Sequence, residues 1–237
     1  MIDIHCHLLF GVDDGADSIE ESVGMLEKAA KQGIDSIILT PHYRHGMFPY
    51  NNEKIEQNYK AILPYAQKLG LHIFPGTEYN VNSYMMEYYR KGRCHTLGDS
   101  RYILTEYTHG TEYSYIAQMT QEALRNGYIP IIAHVERYGC MVEKIQRAEE
   151  LRDMGAWIQN NADAVLGLEG RGPKKYCKKL LKEGWTDVIA SDSHGLNHRA
   201  CNMAECRSYV ARKFGEHYAD ILFHRNPGKI ISEITAL

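Results

Sequence analysis

MIDIHCHLLFGVDDG, residues 1–15, carries two histidines one residue apart at the end of an apolar run, with two adjacent aspartates soon after. IDIHC reads as a first strand and the stretch behind it as a turn. Histidines there are either ordinary polar residues at a strand end or the first ligands of a metal site completed far down the chain. Side chains alternate along a strand, so His5 and His7 are expected on one face and Cys6 on the other, with Ile2 and Ile4. On the same pattern Asp3 shares the histidine face, placed to orient an imidazole N–H. Asp13 and Asp14 lie in the loop beyond, where either can reach back to a metal.

Working outward, the strand-then-helix unit recurs. Strands are expected at DSIILT (35–40), LHIFPG (71–76), RYILTEY (101–107), IPIIAHV (129–135), AWIQNN (156–161) and TDVIAS (186–191). Helical patterns separate them at 18–33, 52–70, 113–127, 143–155 and 174–184. The first has Ser18 as N-cap and Glu21 at the capping-box position. Most end in glycine, as a helix leading tightly into a strand does. Repeated β-then-α units predict a largely parallel sheet in one α/β domain spanning residues 1–237. An open doubly wound sheet is one solution; a closed or distorted barrel suits the count better. Both put the site at the carboxyl ends of the strands.

Bulk properties narrow the function classes. A formal net charge of −3 offers no basic excess for nucleic acid or a membrane surface. The cationic run RGPKKYCKK (171–179) reads as a solvated loop and helix face. No apolar stretch approaches the ~20 residues that span a bilayer, and MIDIHCH has neither the basic nor the apolar region of a secretory signal. Six cysteines without a CxxC pair predict free thiols in a reducing cytoplasm.

The candidate polar residues fall at or just past strand ends. His5 and His7 end the first strand, His42 follows ILTP, Glu78 follows IFPG, and Glu106 lies in ILTEY. His134 lies in IIAHVERY, and Asp192 and His194 follow VIAS. Singly, HxH, SDSH or AHVER is weak; scattered solvated residues would also fall at the other strand ends and on helices. Joint placement on successive strand ends points to a metal cluster. So many N/O ligands exceed what one ion needs, which implies two or three divalent ions bridged by carboxylates. Without sulfur ligands the set suits hard-to-borderline metals such as manganese, iron or zinc, with cobalt also compatible.

These residues resemble those of the PHP (polymerase and histidinol phosphatase) superfamily, whose members have a distorted (β/α)7 barrel and a trinuclear metal site. Further stretches, MIDIHCHLLFGVDDGADSIEES, TPHYRHGMF, DSRYILTEY, PIIAHVERY and VIASDSHGLNHR, are similar to the bacterial CpsB/YwqE-type tyrosine-protein phosphatases. Those enzymes are tied to capsular and extracellular polysaccharide production and to the tyrosine kinases that control it. The likeness covers essentially the whole chain. It implies a first ion held by His5, His7, Glu78 and Asp192, a second by Glu78, Glu106 and His134, and a third by Asp14, His42 and His194. It thereby selects Asp14 over Asp13. Arg137 in VERY and Arg199 after DSHGLNH match the family's phosphate-binding arginines. The chain departs from the pattern at Cys6, where many relatives have Ser. It also departs at ACNMAEC (200–206), which lacks the usual prolines, and at THGTEYSY (108–115). The implied substrate is a phosphotyrosine protein, such as a bacterial tyrosine kinase, and the implied chemistry is attack of a metal-activated hydroxide on phosphorus.

Two alternatives within this reading are a small-molecule phosphoesterase, such as a histidinol-phosphate phosphatase, and a non-catalytic metal-containing partner of a kinase. A third is cysteine chemistry, because Cys201 to Arg207 spells C-x5-R. That loop needs a run of free backbone N–H groups around phosphate, usually made with glycines; CNMAECR has none and reads as the start of a helix. Phosphatase activity is therefore expected to survive thiol alkylation and to vanish on chelation. The reverse pattern in the two treatments would restore the cysteine reading.

Overall fold

A computed structural model describes residues 1–48 and 50–235. Among the described residues nine parallel segments form two sheets: β1 (Ile2–Cys6), β2 (Ser36–Leu39), β3 (His42–Tyr43), β4 (His72–Pro75), β5 (Glu78–Asn80), β6 (Tyr102–Glu106), β7 (Ile129–Ile132), β8 (Trp157–Asn161) and β9 (Val188–Ala190). β2 and β3 are two halves of one excursion, divided at Pro41, which has no N–H to give a ladder. β4 and β5 are divided likewise at Gly76 and Thr77. The lower halves pair as β1–β2–β4, and the remainder as β3–β5–β6–β7–β8–β9. Seven strand positions result, at the places the apolar runs indicate.

The ring closes where β9 returns to β1. Cys6 bridges Ser193 in parallel, the His7 N–H donates to the Ser193 carbonyl at 2.9 Å, and the Asp192 N–H donates to that of His5 at 2.8 Å. An open doubly wound sheet has no such contact between its first and last strands. Distortion arises on the opposite side. Among the described pairings β4 has no bond to β6, and the tight turn Leu97–Asp99 packs against both. The barrel interior is apolar: Ile2, Ile4, Ile38, Leu104, Ile131, Val188 and Ile230 form one buried cluster. Each such side chain contributes about 1.5–3 kcal/mol of burial free energy.

The first helix, α1 (Ile19–Lys31), is capped as its sequence indicates: the Ser18 side chain accepts the Glu21 N–H at 3.2 Å. The Glu21 carboxylate accepts from Asp17, one residue before the cap. Next come α2 (Asn52–Lys68), α3 (Met85–Arg90) and α4 (Tyr113–Arg125). A short helix α5 (Gly139–Glu143) precedes α6 (Gln146–Met154), which is the helix expected at 143–155. After α7 (Ala162–Leu166) and α8 (Arg171–Glu183), the chain ends in α9 (Met203–Phe214), α10 (Glu216–Asp220) and α11 (Asn226–Thr235). None is long and apolar enough to cross a membrane.

One alternation expected in β1 is not kept. Its register with β2 shifts between Asp3 and Cys6, a bulge that moves later side chains by one face. Ile2 and Ile4 enter the barrel, whereas Cys6 joins Leu8, Met25 and Cys201 in a separate cluster under α1. Asp3 lines the small cavity beside Cys6 and Lys28. Its carboxylate accepts the Ser191 hydroxyl at 2.5 Å and the Ser191 N–H at 3.0 Å, so it braces the β9 end instead of orienting an imidazole.

The loop after β1 folds back on that strand. The Ala16 N–H donates to the His7 carbonyl at 3.1 Å, and a Cβ on Gly15 would stand 2.0 Å from the same oxygen. Gly15→Ala must push the Asp13–Asp14 loop off His7 and is expected to cost about 1–3 kcal/mol, read by urea unfolding. An unchanged midpoint would contradict this packing.

Candidate metal centre

The barrel gathers the strand-end residues at one mouth. His5 is the next-to-last residue of β1 with His7 just beyond its end; His42 opens β3, Glu78 opens β5 and Glu106 closes β6. His134 and Asp192 follow β7 and β9 with left-handed backbone, φ 33° and 51°. A non-glycine residue holds that conformation at a cost, and such strain collects at functional sites. His5, His7, Glu78 and Asp192 are buried, and Asp14 is exposed.

Among the described residues three groups present converging ligand atoms: His5, His7, Glu78 and Asp192; His7, Asp14, His42 and His194; and His42, Glu78 and Glu106. In the first, the two Nε2 atoms are 3.2 Å apart. Glu78 Oε2 is 3.2 Å from each, and Asp192 Oδ1 is 3.3 and 3.5 Å from them. These five spacings are close to the edge of a regular tetrahedron whose centre lies about 2.0 Å from each corner, the length of a metal–nitrogen or metal–oxygen bond. In the second group Asp14 Oδ1 is 3.4 Å from His42 Nε2 and 3.5 Å from His194 Nε2. In the third, His42 Nδ1 is 3.0 Å from Glu78 and 3.9 Å from Glu106. His134 stands outside these groups; its Nε2 meets Glu78 Oε1 at 2.8 Å and its Nδ1 meets the Tyr138 hydroxyl.

The donor set fits cations. His42 Nδ1, Glu78 Oε2, Asp192 Oδ1 and His194 Nε2 are buried without a hydrogen-bond partner. Stranding one polar atom costs about 1–3 kcal/mol; four stranded around one mouth need a common partner. His7 donates through Nδ1 to Asp13 at 2.8 Å, and His194 through Nδ1 to the Asp192 carbonyl at 2.9 Å. Those bonds turn their Nε2 lone pairs inward. Asp13 also accepts the His42 N–H at 2.9 Å and so braces two of the histidines, while Asp14 faces the shared space.

Electrostatics agree. Burial pushes the Glu78 carboxyl up, but His5 and His42 hold it well below the usual carboxylate range. Asp192 is treated alike by burial against His5, His7 and the two arginines. His7 is disfavoured as a cation by burial and driven well above the imidazole norm by Asp13. His194 moves oppositely, down to about 4, through burial and the nearby His7. The pocket attracts positive charge yet keeps a neutral imidazole ready to bind it.

Arg137 and Arg199 converge on Asp192 Oδ2, at 2.9 and 2.7 Å. Arg137 also reaches Glu169 at 3.0 Å. They line a cleft of about 420 Å³ beside Asp192 with Leu168, Glu169 and His198. The loop 108–115 lies behind: His109 Nδ1 is 2.6 Å from the Arg137 carbonyl. Cys201 sits elsewhere, buried, with its thiol pushed up to about 12 by burial. Arg207 is paired with Glu216 on α10, so the C-x5-R match builds no phosphate loop. Sequence reading missed Gln159, Asn161 and Glu169, which touch proposed site residues; three consecutive amides at the end of a strand were the available signal.

Residues 1–232 match the family described as "Capsular polysaccharide synthesis, CpsB/CapC". The tyrosine-protein phosphatase CpsB of Streptococcus pneumoniae is 37% identical over 98% of this chain and 99% of its own length. The tyrosine-protein phosphatase YwqE of Bacillus subtilis is 31% identical over 91% and 85%. A structure from a study of YwqE of B. subtilis and CpsB of S. pneumoniae, described as unique metal-dependent tyrosine phosphatases, superposes with a TM-score of 0.90 at 29% identity. It covers 98% of this chain and 95% of that one.

Glu78 serves two of the three groups, so Glu78→Gln, nearly isosteric but uncharged, is expected to lower bound metal without loss of secondary structure. Elemental analysis beside circular dichroism checks this; wild-type metal content would contradict the shared-ligand arrangement.

Proposed function

The chain belongs to the CpsB/CapC family of capsular polysaccharide synthesis, and we propose that it is a metal-dependent tyrosine-protein phosphatase. One observation carries the reading: partnerless ligand atoms of Glu78, Asp192, His42 and His194 line the same mouth as two arginines on Asp192 Oδ2.

In this reading His5, His7, Glu78 and Asp192 hold one divalent ion, and Asp14, His42 and His194, with His7 adjoining, hold another. A neutral imidazole offers one lone pair, so His42 serves one ion only. His134, beside Glu78 Oε1, then supplies the nitrogen that completes Glu78 and Glu106 as a third set. Bound divalent ions supply water ionised near neutral pH and positive charge against the phosphoryl oxygens; manganese is the first choice. Arg137 and Arg199 grip nonbridging oxygens through the planar fork that guanidinium offers. Phenolate, with a parent pKa of about 10, departs without a dedicated general acid, and none is assigned. Leu168, exposed at the cleft edge, gives the aryl ring an apolar wall. The substrate is a phosphotyrosine protein in the cytoplasm, a tyrosine kinase controlling capsular or extracellular polysaccharide synthesis being the expected one.

Against this stands a small-molecule phosphoesterase. A histidinol phosphate phosphatase of Lactococcus lactis shares the fold, with a TM-score of 0.61 at 16% identity, and substrate comparison separates the two. Chelated protein refilled separately with Mn, Fe, Zn or Co is expected to regain hydrolysis of a phosphotyrosine peptide in preference to histidinol phosphate. The opposite preference would favour the phosphoesterase, and no release from any aryl phosphate would favour a binding role. Arg137→Lys is expected to lose roughly 100-fold or more in kcat/KM, measured on the same peptide. A near-wild-type value would remove Arg137 from phosphate binding.

A further inference from the structure

β8 supplies none of the proposed ligands, yet it ends in Gln159, Asn160 and Asn161, all buried. Buried primary amides are unfavourable unless their donors and acceptors are used. Strand alternation puts Gln159 and Asn161 on one face. Asn160 faces away, donating to Glu136 at 2.7 Å and accepting the Thr186 hydroxyl at 2.8 Å.

We propose that Gln159 and Asn161 are positioning residues: a two-amide relay that decides which atoms of His5 and Asp192 face the metal and which face the substrate arginines. The proposal rests on the metal-site reading above. The Gln159 terminal atom 2.9 Å from the His134 backbone N–H must be an acceptor, since that group only donates; it is therefore the amide oxygen. The same oxygen lies 3.2 Å from His5 Nδ1, so Nδ1 carries the proton. His5 Nε2 is left with its lone pair toward His7, Glu78 and Asp192.

The other end of the amide follows. Gln159 Nε2 donates to Asn161 Oδ1 at 2.8 Å, which fixes the second amide. Asn161 Nδ2 donates to Asp192 Oδ2 at 2.8 Å and to Glu169 at 3.2 Å. With Arg137 and Arg199 on the same Oδ2, that oxygen is fully used. Asp192 Oδ1 is the one left without a hydrogen bond, toward His5 and His7. One backbone N–H at His134 thus sets the polarity of the whole chain of bonds.

The test uses Co2+ alone, read by equilibrium titration and by its absorption spectrum with metal-free protein. Gln159→Met keeps the volume and removes both bonds; affinity at the His5 site is expected to fall roughly 10- to 100-fold, with a changed spectrum. Gln159→Glu keeps an acceptor for His5 Nδ1–H but loses the donor to Asn161 Oδ1, so it is expected to lose less Co2+ affinity than Gln159→Met while still changing the spectrum. Asn160→Ala, altering the amide on the opposite face, is expected to lose stability without altering Co2+ affinity. Wild-type affinity and spectrum in Gln159→Met would overturn the relay. If Gln159→Met does not fold, Gln159→Glu decides alone, and an unchanged affinity and spectrum there would overturn the relay, because its bond to Asn161 is lost. Wild-type protein that binds no Co2+ would instead defeat the metal-site reading.

Discussion

Glu78 Oε2 and Asp192 Oδ1 face the Nε2 atoms of His5 and His7 across 3.2–3.5 Å, sealed from water at one end of a closed barrel. Acceptor atoms at that spacing, held away from solvent, need positive charge between them or the barrel mouth opens. Much of the nearby architecture serves this demand. β9 is bonded to β1 through His7 and Ser193, Asp3 ties β1 to Ser191, and the loop carrying Asp13 is folded onto His7. The strained backbones of His134 and Asp192 belong to the same economy, since each turns a side chain into the mouth from a strand that has just ended.

Asp192 links the two halves of the chemistry. One oxygen faces the proposed cation and the other is shared by Asn161, Arg137 and Arg199. The guanidiniums that would grip the phosphoryl group are thus held by the carboxylate that would grip the metal. A change at Asp192 cannot alter one function without the other.

Much of this was legible in the chain. Apolar runs ending in His, Glu or Asp located the strands and the rim, because a parallel strand buried on both faces has little freedom to read otherwise. The family likeness covers motifs that are contiguous in sequence, so it transfers them in order. What escaped was tertiary. The β1 alternation assumed a regular pleat, and the bulge between Asp3 and Cys6 sent Asp3 to Ser191. IPIIAHV read as strand to its end, but His134 turns left-handed after Ile132. Gln159 and Asn161 look like polar interruptions of a strand until the residues across the barrel reveal the polarity of their amides.

Anomalous diffraction from crystals of the active, metal-loaded protein, collected at the manganese absorption edge, tests the central claim most directly. The account predicts more than one peak in the barrel mouth: one enclosed by His5, His7, Glu78 and Asp192, another beside Asp14, His42 and His194, with Glu78 touching two ions. An active crystal with no peak within bonding distance of Glu78 and Asp192 would contradict it.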